Sequence, residues 1–364
     1  MENIKPLVFR DELIQKVNAY FKKTKLRRNS GGARIWIVTL TGLFFYIAPY
    51  VALINGHLSY VPNLILAIGS MTLGFVMLGS TQHHASHQSF SPSKRINNLF
   101  RKVLDLLWIN SDNWSIQHVI LHHLNTNIYG KDYDLDSGGI FVAFSKFAKR
   151  YKLHRVQHIF ALFYYSFTFL LWIFFGDFKR VVQYYKWGHF KESGKSLWVH
   201  ILYVFLRKAV MFFIFFGIPT LIGIPFGITA TLWFVAIFGA GFFMTPIFEV
   251  AHINEWAHQY KDMPTPSGAA AWEHQVKTST SFYWGNPKSI VDRILTDVYG
   301  GLNYQVEHHL FPAISYVHYP ALQDIVKETA EECGIEYHCY GFSRILKSHI
   351  QTLKVIAQEK AEIA

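Results

Sequence analysis

The chain has 364 residues, of which 51% are hydrophobic, 17% aromatic and only 16% charged, against about 25% charged in an average soluble domain. That balance argues against a soluble module and for a polytopic membrane protein. The net charge of +11 must then crowd onto a few exposed segments, where anionic headgroups are a better match than nucleic acid.

The first residues, "MENIKPLVFRDELIQKVNAY", carry acids and lack an apolar core with a small-residue cleavage site, so a secretory signal is not expected. Residues 1–33 are expected to form an amphipathic cytoplasmic arm, and 34–364 a single integral-membrane domain. Three stretches contain no Asp, Glu, Lys or Arg: 35–82, 159–176 and 209–248. A crossing needs roughly 20 apolar residues. The first stretch holds two, near 34–54 and 61–80, and the third holds two, near 205–222 and 226–248, turning at Pro219, Gly223 and Pro225.

Lys and Arg collect on the cytoplasmic side. "KKTKLRR" before the first span therefore puts both termini inside, and the uncharged turns at 55–60 and 219–225 outside. The stretch 159–176 has basic residues on both flanks, among them Lys149, Arg150, Lys179 and Arg180. Such a segment is expected to lie in the interface rather than to cross. Were it to cross, the C-terminal motif would fall on the other side of the bilayer from residues 83–123. The remaining segments, 81–204 and 249–364, read as a cytoplasmic helical cap. "NPKSIVDRILTDVYGG", "YPALQDIVKETAEECG" and an amphipathic 342–362 supply helices there. Only Cys333 and Cys339 occur, which implies no disulfide framework.

Histidine is the anomaly, with 19 copies, many of them clustered. "TQHHASHQSF" holds His83, His84 and His87; "SIQHVILHHLNTN" holds His118, His122 and His123; "GGLNYQVEHHLFP" holds His308 and His309. On an α-helix the i, i+4 pairs His83/His87 and His118/His122 share a face and can bind one cation each. Adjacent histidines diverge by about 100° and serve two neighbouring metals more easily than one. The pattern favours a dinuclear centre of imidazole nitrogens, in which Zn, Cu, Fe or Ni would be at home. His83 and His252, in "FEVAHINEWAH", follow the ends of the second and fourth spans, so the site belongs at the membrane surface and not along a pore. Most other histidines, including His57, His189, His200, His338 and His349, read as ordinary polar residues. His84, His258, His274 and His318 stay open. Asp132, Asp134 and Asp136 resemble a calcium loop only superficially, since the later glycine and glutamate positions do not fit.

"HHASH", "HVILHH" and "GGLNYQVEHHLFP" resemble the three histidine boxes of the membrane fatty acid desaturase family. Gln305, "WEHQVKTSTSF" and "SYVHYPAL" are similar to its front-end branch, over about residues 60–340. The resemblance implies a four-span all-α bundle whose cytoplasmic cap holds two irons. Its implied ligands are His83, His87, His118, His122, His123, His252, His308 and His309, with Gln305 binding directly, through water, or only orienting a ligand. O₂ is the implied co-substrate. A membrane lipid or acyl-CoA is the implied substrate, lying in an apolar tunnel. With no "HPGG" haem motif, electrons are expected from a separate ferredoxin or cytochrome b5 type donor. Glu307, Glu255 and Asp136 are the expected outer carboxylates. His84, Gln82 and Val119 depart from the family pattern. Two other readings of the pattern are a diiron acyl hydroxylase and a non-catalytic membrane metal-binding or transport protein.

Overall fold

A computed structural model describes residues 5–135 and 139–358. Its regular secondary structure is almost wholly helical. Its helices, in order, are α1 (Lys5–Thr24), α2 (Gly32–Ile54), α3 (Val61–Ser86) and α4 (Lys94–Arg101). After the segment 111–125 come α5 (Lys152–Tyr165) and α6 (Thr168–Lys186), then α7 (Leu197–Leu221) and α8 (Phe226–His252). Beyond them lie α9 (Gly268–Thr278), a further helix at Ile290–Val298, α10 (Gln305–Leu310), α11 (Tyr319–Glu332) and α12 (Phe342–Gln358). One pair of three-residue strands, β1 (Ser281–Tyr283) and β2 (Cys339–Gly341), runs parallel and ties the segment after α9 to the start of α12.

Four helices, α2, α3, α7 and α8, are long and apolar enough to cross a membrane, so the chain is an integral membrane protein built as a four-helix bundle. The third begins eight residues earlier than the charge-free stretch suggests, at Leu197 rather than 205. Arg207 and Lys208 therefore lie inside the helix. They are accommodated because Asp105 and Asp112 meet Arg207 at 3.2 and 3.4 Å, while Asp177 meets Lys208 at 2.8 Å. Paired charge costs far less in an apolar setting than isolated charge.

The stretch 159–176 is not one straight helix. It falls across α5 and α6, which meet at a bend of 79°. The carbonyls of Tyr165 and Ser166 at the break lie against α8 at Gly241, where a Cβ would be 2.7 and 2.6 Å from them. A side chain there would push the bent pair off the bundle.

Packing within the bundle relies on small residues, as apolar lipid gives helices little reason to associate. A Cβ at Gly74 of α3 would sit 2.7 Å from the Tyr46 Cα of α2, and Ser70 Oγ donates to the Phe45 carbonyl at 2.9 Å. On the capping side, α1 buries Phe9, Leu13, Val17 and Phe21, one residue per turn. They share a core with Tyr304, Val306 and Leu310 around α10 and with Tyr319, Leu322 and Val326 of α11. The arm is thus packed over the third histidine box.

Gly74→Leu should force α2 and α3 apart, at a cost of about 3 kcal/mol or more for overpacking. The expected result is a clear drop in the melting temperature of the detergent-purified protein. Gly69→Leu, on an exposed position of the same helix with nothing within 4 Å, should leave it unchanged.

Candidate metal centre

The first box ends α3. His83 lies in the last turn, His87 caps it, both are buried, and their ring centroids are 4.9 Å apart. His84, one residue further round, leaves this group. It stacks on Tyr316 at 4.7 Å and lies over Gly300, where a Cβ would come within 2.6 Å of its Nε2. Gly300 also has φ +58°, so glycine meets both demands.

The second box keeps the expected pairing of His118 with His122, whose rings stack at 5.3 Å, and adds a contact that an α-helix would not make. Residues Ile116–His122 form a π-helix, in which positions i and i+5 align. His118 and His123 therefore approach to 3.3 Å between Nε2 atoms. His122 also turns to His252 and His309, with centroids 4.8 and 5.0 Å away. In the third box, the adjacent His308 and His309 of α10 point to different partners, as their angular divergence requires.

Two groups result. Ligand atoms of His83, His87, His118 and His308 all lie within 4.8 Å of one another, as do those of His122, His252 and His309. His123 joins the first group, its Nε2 3.0 Å from that of His308, and stacks on His309 of the second at 4.4 Å.

The orientation of these rings is set from behind. Nδ1 of His122 faces both oxygens of Asp132 at 3.0 and 3.1 Å, and Nδ1 of His252 faces the Thr278 carbonyl at 3.0 Å. Nδ1 of His309 faces Gln275 Oε1 at 2.9 Å, and Nδ1 of His308 the Tyr319 hydroxyl at 3.3 Å. Nδ1 of His118 lies 3.6 Å from Asp134. A proton on the outward Nδ1 leaves the inward Nε2 as a lone pair, the tautomer a metal ligand needs.

The inward nitrogens converge without enough protons to satisfy them. Nε2 of His83 and His118 are 2.9 Å apart. Nε2 of His87 and of His309 are buried with no hydrogen-bond partner. Burial holds His87, His118, His123, His308 and His309 below the ordinary imidazole range, reinforced by neighbouring imidazoles. These rings are therefore neutral at pH 7. His122 is the exception: burial opposes its charge, but Asp132 and Asp134 outweigh burial and raise it to about 9. The same two carboxylates would favour a cation placed between the rings. The residues present fit a metal centre.

Asp132 and Asp134, dismissed as calcium-loop mimics, are thus the carboxylates behind the rings. Of the three carboxylates expected there, Glu255 is exposed and Asp136 lies outside the described residues. Glu307 is fully buried but bonds Ser281 Oγ at 2.8 Å and Tyr337 hydroxyl at 2.7 Å, locking α10 to β1. Burial pushes its carboxyl up to about 7. His274 donates its Nε2–H to the Thr126 carbonyl, 2.8 Å away, and does not join either group. Gln305 is buried and lines a cavity together with His118, His122 and His252.

That cavity, about 310 Å³, lies between the bent α5–α6 pair and α8. Phe169, Trp172 and Phe248 give it apolar walls, and Lys179, Arg180 and Glu249 also border it. The Arg180 guanidinium lies flat over Trp172, 3.9 Å from the ring centre. The arrangement suits a long apolar ligand with its polar end near the cations.

Residues 58–341 match the fatty acid desaturase family. Among similar proteins are an sn-1 linoleoyl-lipid 6-desaturase of Arthrospira platensis, 28% identical over 92% of this chain and 88% of the relative, and an acyl-lipid (8-3)-desaturase of Physcomitrium patens, 30% identical over 94% and 70%. A Delta(5) fatty acid desaturase A of Dictyostelium discoideum is 28% identical over 95% and 74%. The histidine boxes, the four spans and this match agree: the chain belongs to the fatty acid desaturase family and is an oxidoreductase of that class.

Proposed function

We propose that this protein removes two hydrogens from adjacent methylenes of a fatty acyl chain at a pair of iron ions. One is held by His83, His87, His118, His123 and His308. The other is held by His122, His252 and His309, with Gln305 beside it. The observation that carries the reading is the convergence of eight buried imidazoles in two groups, three of whose members border an apolar cavity. When bound, the metal pair supplies the oxidising power to attack an unactivated C–H bond, using O₂, which no side chain can do.

The chain's own residues do the rest. Asp132, Asp134, Gln275, Tyr319 and the Thr278 carbonyl hold the imidazole tautomers. Phe169, Trp172 and Phe248 exclude water and align the acyl chain, while Lys179 and Arg180 are placed to hold the polar end of a lipid-linked or CoA-linked substrate. Fixing that end fixes how far along the chain the metal pair reaches, which is the logic of front-end selectivity. The basic stretch before α2 supports a cytoplasmic location for both termini and for the site.

Expression in a host lacking the activity should yield a new unsaturated fatty acid by gas chromatography. His308→Ala/His309→Ala should abolish it and lower the bound iron. Equal product from both proteins, or an alcohol in place of the alkene, overturns the assignment. Asp132→Asn should keep the membrane-inserted fold but weaken metal retention about 10- to 100-fold, read by metal analysis after chelator treatment. Glu255→Gln, at an exposed position, should match the wild type.

A further inference from the structure

If the desaturase reading holds, each turnover needs more than the substrate supplies. Converting one CH₂–CH₂ unit to CH=CH with O₂ and forming two waters takes up two electrons and two protons from elsewhere. We infer that the exposed basic turn Lys22–Arg28, fixed directly outside the third histidine box, is the docking surface for an acidic one-electron carrier protein.

Five cations, Lys22, Lys23, Lys25, Arg27 and Arg28, occur within seven residues, and all are exposed. None has a carboxylate within ion-pair distance among the described residues. The turn is nonetheless held firmly. Ser315 N donates to the Arg28 carbonyl at 2.7 Å, the His318 ring nitrogen meets the Arg27 carbonyl at 3.0 Å, and the Arg28 guanidinium lies 5.0 Å over Phe21. A fixed, unpaired and exposed cation cluster is a recognition surface for negative charge.

Its position identifies which negative partner. His318, bonded to the turn, is covalently followed by Tyr319, whose hydroxyl is 3.3 Å from His308 Nδ1. His308 Nε2 in turn is 3.0 Å from His123 Nε2. Arg27, His318, Tyr319 and His308 thus make a continuous connection from the cationic surface to the histidine cluster, through two close polar contacts and one peptide link. None of the five cations borders the acyl cavity. A carrier on this face leaves the substrate route open. Anionic lipid headgroups would also meet a basic turn just before α2, but they need no such connection and no anchoring of the turn to residues 315–318.

The test uses the full chain in nanodiscs of phosphatidylcholine alone. Lys22→Glu/Lys23→Glu/Lys25→Glu is compared with wild type for binding of a soluble acidic [2Fe–2S] ferredoxin and, separately, the haem domain of cytochrome b5, at about 20 mM and about 200 mM salt. Wild type should bind at least one carrier, more weakly at high salt. The variant should bind it at least about tenfold more weakly at low salt and with a shallower salt dependence, at an unchanged melting temperature. Product formed with dithionite and methyl viologen should be the same for both proteins. Equal carrier affinities or no carrier binding by wild type would overturn the proposal, as would a difference that is absent in these discs and arises only in a parallel set containing phosphatidylglycerol. Absence of alkene from wild type with the chemical reductant would refute the desaturation reading instead, and the binding constants still decide the surface.

Discussion

The structure depends on a shortage of protons. Eight imidazoles are buried together, and for five of them the outward nitrogen faces an oxygen of a carboxylate, carbonyl, amide or hydroxyl. The inward nitrogens of His83, His118, His123 and His308 lie 2.9 to 3.3 Å apart along the cluster, and those of His87 and His309 are buried without a partner, a crowding that a cation would relieve. The surrounding architecture serves this constraint. α3 and α8 deliver His83 and His252 at their ends, the π-helical turn separates His122 from His123, and α10 separates His308 from His309.

Substrate access follows from a second irregularity. The bend between α5 and α6 exposes carbonyls that only a glycine on α8 can approach, and the space it opens becomes the cavity bordering the histidines. The polar and apolar demands of the site are met along one face of the same helix, where Thr245, Phe248 and His252 all border the cavity. His252 also faces the rings, and Phe248 and Thr245 lie one and two turns earlier.

Much of this was legible in the residues. Charge-free stretches located three of the four spans closely, and histidine spacing named the residues that converge. The failures have physical causes. The start of α7 was set eight residues too late because the charge-free stretch begins only after Lys208, when acids distant in sequence neutralise Arg207 and Lys208 within the helix. His118 and His122 do pair, stacked at 5.3 Å beside Asp134, but 3.6 residues per turn does not foresee the approach of His118 to His123 that the π-helix brings about. Asp132 and Asp134 were set aside because they were compared with a calcium loop and not with the nearby histidines. An acidic run ten residues beyond a histidine box, in a chain this basic, was the available signal. Gln275, Tyr319 and the Thr278 carbonyl left no trace in local pattern, because their roles exist only once distant segments meet.

That distance has a consequence for biogenesis. His123 and His308 touch although 185 residues separate them, so during synthesis the N-terminal half emerges with its imidazoles exposed to any passing transition metal. Closure waits until both later spans are inserted and α10 has been translated. Long-range closure of this kind is slow and vulnerable to trapping. Mismetallation of the nascent half-site is therefore a hazard that the order of the boxes along the chain makes unavoidable.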